Sequence, residues 1–434
     1  MNVKLDKDKI HKLMQKKGIA TQKDLAKKMG ITPNELSRLL SPKYCPIKNN
    51  VNKLVTILGN EAISAIEPII SKQKELFDLG NDTKFPQKTI DVSKIKSSKK
   101  YKNLEIFAGA GGLALGLDLA GFSSVGLIEF DKDAAATLRI NRKSWNVIEE
   151  DVIKVTESKN GIWDYIKPNQ EIDLVSGGFP CQSFSYAGKR LGLNDTRGTL
   201  FYYYAKILKQ IMPKMFLVEN VKGLTTLDHG KTLKTMIKVF EDLGYTTTYR
   251  ILNAWDHGVA EKRERMILIG IRNDLDIKYF YPKKHLYKPV LKDILMDVPK
   301  SEGQKYSEKK RKIMDLVPAG EYWRSLPEDL AKEYMGASYY SGGGRTGMAR
   351  RLSWNEPSLT LTTSPSQKQT ERCHPSETRP FTTREYARIQ SFPDNWKFSG
   401  TMNSIYKQIG NAVPVNLAKD VGLSIINSLN MINK

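Results

Sequence analysis

Between residues 101 and 273, short apolar runs alternate with helix-forming segments, and no other feature narrows the fold as far. The runs Leu104–Phe107, Val125–Glu129, Asp173–Ser176, Met215–Glu219 and Met266–Ile271 have strand length, and "NVIEE" (146–150) supplies a further one. Strands separated by helical crossovers pair in parallel, and helices then cover both faces of the sheet. The expected fold class is α/β, with a doubly wound, Rossmann-like domain whose ligands gather beyond the carboxyl ends of its strands.

Ahead of this core, residues 1–79 read as helices. Two Thr-x-x-acid spacings, Thr21 with Asp24 and Thr32 with Glu35, mark helix starts, the second with Pro33 at the first helical position. Between and beyond them, Leu25, Met29, Ile31, Leu36 and Leu39 form an apolar pattern, with the small Ala26 where two helices would cross and Gly30 in the turn. This is a helix-turn-helix pattern and resembles phage-repressor DNA-binding domains, in which the second helix enters the major groove. Thr32, Asn34, Glu35 and Arg38 are its expected DNA-facing residues. Residues 80–100, polar and lysine-rich, read as a linker.

Charge supports a polyanionic partner. The chain carries a formal net charge of +22, and residues 1–100 contribute about half of it. Nucleic acid suits such a surplus, and binding should weaken steeply with salt. No apolar stretch approaches the length of a membrane span, so no membrane partner is expected. Cys45, Cys181 and Cys373 are few, odd in number and far apart, which argues for a reducing cytoplasm and against a disulfide framework or zinc cluster. His229, His257 and His374 are too scattered to suggest a metal site, so none is expected.

Two segments point to chemistry. "LEIFAGAGGLALGLDLAG" (104–121) is a strand, a glycine-rich turn and a helix, where the backbone can approach a ligand closely. Its glycines, Gly109, Gly111 and Gly112, depart from the dinucleotide spacing, so a nucleoside cofactor without a pyrophosphate fits better; S-adenosyl-L-methionine is the common one. Glu129 ends the next strand, where a carboxylate can accept from ribose hydroxyls, and Asp151 is placed to meet an adenine amino group. "GGFPCQSFS" (177–185) sets Cys181 on a sharp turn at another strand end, where a thiolate can act as a carbon nucleophile. "MFLVENV" (215–221) is an apolar strand bearing Glu219, a carboxyl suited to proton donation near neutrality.

Taken together, these segments resemble the DNA (cytosine-5)-methyltransferases, especially those of bacterial restriction-modification systems. "FAGAGG" is similar to that family's cofactor motif, "GGFPCQSFS" to its nucleophile motif and "VENV" to its glutamate motif. "KRERMILIG" is similar to its arginine motif, "RPFTTREYARIQSFPD" to the segment after its target-recognition region, and "GNAVP" to its last cofactor motif. The resemblance implies a Rossmann-like methyltransferase domain over 101–274, a smaller target-recognition domain over 275–385 and a return to the catalytic domain over 386–434. It implies that Cys181 adds to ring carbon 6 of a cytosine flipped out of double-stranded DNA, that Glu219 bonds the ring, and that Arg263 and Arg265 hold the carbonyl oxygen and nearby backbone. Resemblance and chemistry together favour Phe107, Ala108, Gly109, Gly111, Gly112, Glu129, Asp151, Pro180, Asn411 and Val413 as the S-adenosyl-L-methionine pocket.

Two departures stand out. Glu261 occupies a position where the family usually has glutamine, and an acid near phosphates implies another contact. The helix-turn-helix lies outside the common core, though related enzymes carry similar extensions; binding to the protein's own operator is the expectation it motivates. The chain is expected to act as a monomer on its substrate DNA. Two rival readings remain at this level, a DNA-binding regulator on an inactive methylase fold and a transfer-RNA cytosine methyltransferase.

Overall fold

Reciprocal hydrogen bonds start two helices of the N-terminal unit, as the Thr-x-x-acid spacing requires. The computed structural model describes residues 3–5, 7–40, 48–58, 66–68, 89–180, 199–340 and 345–432, and the chain divides into units 1–79 and 80–434. In the first unit helices α1 (Lys7–Lys16), α2 (Gln22–Met29), α3 (Pro33–Leu39) and α4 (Lys48–Leu58) accompany strands β1 (Val3–Leu5) and β2 (Ile66–Pro68), which pair antiparallel. Ahead of α2, the Thr21 amide donates to Asp24 Oδ2 and the Asp24 amide donates to Thr21 Oγ1. Thr32 and Glu35 repeat the exchange ahead of α3. Between the helices Gly30 adopts φ +65°, and the Ile31 amide reaches back to the Ala26 carbonyl at 3.1 Å, which closes α2 sharply. Ala26 is fully buried with Leu25, Met29, Leu36 and Leu40, so the small residue lies at the helix crossing.

In the second unit seven strands form one sheet. Strands β4 (Tyr101–Ile106), β5 (Phe122–Glu129), β6 (Val147–Glu149), β7 (Leu174–Gly177) and β8 (Met215–Val221) run parallel. Strand β11 (Glu264–Arg272) runs antiparallel to both β8 and β9 (Tyr245–Asn253). The order is β6-β5-β4-β7-β8-β11-β9. Each expected strand is present, and β9 is an addition at the sheet edge.

Alternation along the strands sorts their side chains to opposite faces. Phe216 and Val218 join one core with helices α7 (Val152–Glu157), α8 (Leu200–Ile211) and α9 (Lys231–Asp242). Met215 and Leu217 join the other, with α5 (Gly112–Ala120), which precedes α6 (Lys132–Asn141), and with the last helix, Val415–Leu429. The C-terminal segment thus completes a sheet face begun near residue 112.

Two expected boundaries differ from the structure. Within the expected linker, Thr89–Ile90 (β3) pairs in parallel with Tyr281–Pro282 (β12), Val92 is buried, and Ser98 Oγ donates to Asn430 at 2.7 Å. Residues 89–100 are therefore docked on the second unit, because scattered apolar residues suffice to hold a short segment whose polar groups find partners. At the other boundary, Tyr279 and Tyr281, expected in the recognition region, belong to the core of the sheet face. Beyond them helices α10 (Leu291–Leu295), α11 (Glu308–Asp315) and α12 (Glu328–Met335) follow, and Met314, Val317, Trp323, Met335 and Met348 build a separate small core. Strands β10 (Glu261–Lys262) and β13 (Ser358–Leu359) pair in parallel, and helices α13 (Thr383–Ile389), α14 (Met402–Asn411) and α15 (Val415–Leu429) close the chain. Among the described residues no helix is long and apolar enough to cross a membrane.

Helix α5 packs against α15 through missing side chains. A Cβ on Gly116 would lie 2.6 Å from the Val415 carbonyl oxygen and 2.8 Å from the Lys419 amide nitrogen, both backbone atoms that cannot swing aside. Gly116→Ala is expected to destabilise the protein by about 1–3 kcal/mol through overpacking, read as a lower melting temperature.

Candidate active site

The strand order reverses direction between β4 and β7, and ligands in open α/β sheets collect at such a switch point. β4 runs into Phe107–Gly112 and β7 runs into Gly178–Pro180, so both glycine-bearing segments emerge there. Gly178 faces Glu219: a Cβ would lie 2.8 Å from the Glu219 Oε2. Next, the Phe179 carbonyl accepts from Asn220 Nδ2 at 2.9 Å, while the Phe179 ring packs edge-on against Phe201 and Tyr204. The adjacent pair Glu219–Asn220 on β8 therefore anchors the segment that leads to the cysteine. Pro180 is exposed at its end, and Cys181 lies outside the described residues.

Because β11 is antiparallel, its first residues reach the edge where the parallel strands end. Arg265 stands opposite Val221, and its Nε lies 2.8 Å from Glu219 Oε1, with both side chains nearly buried. Burial, and then the neighbouring Arg263 charge, push the Arg265 pKa down to about 10, while Glu219 and Glu261 act the other way. The pair is a desolvated acid and base at the mouth of the switch point.

Arg263, expected beside it, has a different task. Its guanidinium donates to the carbonyls of Leu361 (3.1 Å), Gly410 (2.8 Å) and Ala412 (3.1 Å), and it is 2 % exposed. Main-chain carbonyls take up the two terminal nitrogens, so Arg263 is a positioning residue rather than one that faces a substrate. Glu261 explains itself in the same place. Buried on β10, it accepts from the Leu361 amide at 2.6 Å and lies 3.5 Å from Arg263. Burial raises its pKa, and the Arg263 charge opposes that rise.

On the other side of the switch point, Glu129 Oε2 accepts from the Gly109 amide at 2.6 Å and Oε1 from the Asp131 amide at 2.7 Å. Burial raises the Glu129 pKa against these two bonds. Phe107 is half-buried at φ +62°, a strained value for a bulky residue, and Gly109 at φ +54° has open space where a Cβ would stand. Ala108 is buried and its amide donates to the Ile128 carbonyl. Gly111 is tight against Leu138 and Trp396, and a Cβ on Gly112 would collide with the Val413 carbonyl. Those two glycines and Val413 serve packing in the structure, whereas Gly109 keeps an approach open. Asp151 caps α7, its Oδ1 accepting from the Ile153 amide at 2.9 Å, and Asn411 ends α14 exposed.

The sequence profile of the C-5 cytosine-specific DNA methylases matches residues 101–427, three-quarters of the chain. The chain belongs to that family. A Cro/C1-type helix-turn-helix profile matches residues 9–59 of the methylase. The Type II methyltransferase M.Sau96I of Staphylococcus aureus is 53% identical to it over 438 residues, covering 99% of this chain and 100% of the relative. M.Eco47II of Escherichia coli is 55% identical over 354 residues, covering 79% of this chain and 83% of the relative. A crystal structure of a prophage-encoded DNA modification methyltransferase of E. coli superposes with a TM-score of 0.57, covering 76% of this chain and 100% of that chain at 23% identity, which bears on the fold. The methylase is thus an enzyme of DNA cytosine methylation, and its Type II relatives match the restriction-modification kinship seen in the motifs.

Two residues beside these segments of the methylase escaped sequence reasoning. Phe130 is 72 % exposed directly after Glu129, and its place behind an acidic strand end is the signal that would have found it. Glu105 lies buried under the glycine-rich turn, 3.4 Å from the Ser176 hydroxyl; burial raises its pKa from 4.5 to about 8. A buried acid in the middle of an apolar strand leaves no periodic signature. Between about pH 4.5 and 8 the folded methylase retains a proton that the unfolded chain has released. The stabilisation is therefore full below about pH 4.5 and is lost as pH rises toward 8. Glu105→Gln is expected to flatten this decline, checked by melting temperatures of both proteins across that range.

Proposed function

We propose that the methylase moves a methyl group from S-adenosyl-L-methionine to carbon 5 of a cytosine turned out of duplex DNA, through a transient bond to Cys181. The observation that carries this reading is the Glu219–Arg265 pair, 2.8 Å apart and set against Gly178 at the start of the segment bearing Cys181. A base stacked inside a duplex is out of reach of enzyme side chains, so extrusion of the base belongs to the same proposal.

Carbon 5 of cytosine is too electron-poor to attack a methyl sulfonium unaided. Addition of the Cys181 thiolate to carbon 6 forms an S–C bond and pushes the ring electrons toward carbon 5. Glu219 meets the exocyclic amine and ring nitrogen 3, supplying a proton to the nitrogen as negative charge gathers there. Arg265, held through Nε by Glu219 and through Nη1 by the Glu264 carbonyl, offers its Nη2 to the base's carbonyl oxygen. Carbon 5 then takes the methyl group, and the donor sulfur keeps the bonding pair. Loss of the carbon-5 proton to water, return of the nitrogen-3 proton to Glu219 and departure of the cysteine sulfur restore the ring, the carboxyl and the thiolate.

The residues present suit the methyl donor. Gly109 leaves an open approach, Glu129 retains lone pairs for ribose hydroxyls, Phe130 offers an exposed ring face, and Asp151 has Oδ2 for an adenine amino group. When bound, S-adenosyl-L-methionine supplies an electrophilic methyl on a positively charged sulfur. Phe107, Ala108, Pro180 and Asn411 would border it, while Gly111, Gly112 and Val413 hold the turn that shapes the pocket.

The N-terminal unit is proposed to bind operator DNA of its own gene through α3, and the catalytic unit to act as a monomer on its substrate in a reducing cytoplasm. Thr32 and Glu35 spend their side chains on the cap, so DNA contact falls to the exposed face beyond it; the side chains of Asn34 and Arg38 lie outside the described residues. Deletion of residues 1–79 is expected to abolish promoter occupancy in cells, and unchanged occupancy would refute the regulatory role.

Duplex DNA carrying 5-fluorocytosine at the target should trap a covalent complex in the presence of methyl donor. Cys181→Ser should trap none and transfer no tritiated methyl groups. Arg265→Ala should lower kcat by about 10²–10³, as loss of a preorganised polar contact does. Absence of the trapped complex with the unaltered enzyme would sink the mechanism.

A further inference from the structure

Two histidines from separate segments converge on one carboxylate oxygen of a third, away from the residues of the catalytic constellation. His257 Nδ1 lies 2.9 Å from Asp420 Oδ2, and His285 Nε2 lies 2.8 Å from the same atom. The three ligand-type atoms all fall within 4.8 Å of one another. His257 is 1 % exposed and Asp420 6 %, so a carboxylate of α15 has been taken out of water. Among the described residues no lysine or arginine lies within ion-pair distance of it. Buried charges are paired or coordinate metals.

The surroundings hold these groups in place. His285 is positioned by its amide, which donates to the Asp256 carbonyl at 2.8 Å. Its ring lies over Gly258 (φ +72°), where a Cβ would stand 3.2 Å from Nδ1. Asn416 Nδ2 donates to the Gly258 carbonyl at 2.9 Å and fixes that turn. Flanking His285, Lys284 and Lys288 are drawn to the two oxygens of Asp256 at 2.8 and 2.5 Å. On its open side the cluster borders a cavity of about 650 Å³, lined also by Asp91, Ser93, Lys96, Lys283, Lys284 and Lys419.

We propose that His257, His285 and Asp420 form a three-ligand site for a borderline divalent transition metal such as Zn²⁺, Ni²⁺ or Co²⁺, with the remaining position open to water from the cavity. Two imidazoles and a carboxylate are a ligand set that such ions favour. Metal–ligand bonds of about 2.0–2.1 Å place tetrahedral ligand atoms roughly 3.3 Å apart. The two histidines would each withdraw from Asp420 by about half an ångström, and their ligating nitrogens, within 4.8 Å of each other, would close on the ion. The ion would clamp the turn 254–258 and the segment 283–288 onto α15. The histidine spacing along the chain conceals the site, because His285 and Asp420 come from elements brought together by the fold.

The test uses the untagged full-length protein, freed of metal by chelation and titrated with Co²⁺ and Zn²⁺. One equivalent of Co²⁺ should bind with visible d–d absorption, displaced by Zn²⁺, and the metal should raise the melting temperature. His285→Ala changes an exposed side chain and should bind Co²⁺ roughly 100-fold more weakly, since even supporting partners of metal ligands contribute 10–100-fold. Asp420→Asn should do the same. Absence of saturable binding in the unaltered chain, or equal affinity in both variants, would overturn the site, and neither result bears on methyl transfer.

Discussion

A single buried guanidinium ties together the three parts of the chain that must meet at the active site. Arg263 sits on the catalytic sheet's edge segment, yet its donors end on Leu361 from the recognition side and on Gly410 and Ala412 from the C-terminal turn. Glu261, two residues before it, accepts from the Leu361 amide, so both polar groups of one recognition-side residue are gripped by one three-residue stretch. Stranding a buried charge by removing its partner costs about 3–5 kcal/mol, which makes such a junction stiff. The departure from the family's usual glutamine is absorbed there: the acid faces an amide and an arginine.

Stiffness at that junction matters because Arg265 follows two residues later. The break in strand pairing at Arg263, between β10 and β11, sends Arg263 into the junction, while Arg265 within β11 meets Glu219 on β8. The same geometry depends on β11 running against its neighbours, which brings the start of an antiparallel strand to the edge where the parallel strands finish. Glu219, Arg265 and residues 178–180 consequently share one rim, although they come from three separate stretches of chain. Asn220 adds the remaining tie, holding Phe179 beside the rim.

Much of this was legible in advance, for physical reasons that differ by residue. Strands that alternate between two apolar faces reveal themselves by period, and β8 is the clearest case, with Met215 and Leu217 on one side and Phe216 and Val218 on the other. Helix caps are local, so Thr21 and Thr32 behaved as their spacing required. Residues whose work is done at long range are less legible. Arg263 resembles a catalytic arginine by sequence and is a structural one by contact; Gly112 resembles a cofactor glycine and is a packing one. Residues 89–100 lack apolar density, yet they dock by hydrogen bonds and a single buried valine.

Sequence alone determined the α/β class, the helical DNA-binding extension and the kind of chemistry, since these follow from periodicity, capping and the identity of reactive side chains. Only the tertiary structure decided which arginine meets Glu219, what Glu261 touches, and that His257 shares a carboxylate with His285. Those outcomes depend on contacts between residues far apart in the chain, and no local pattern records which distant backbone carbonyl or carboxylate a side chain will find once the core has closed.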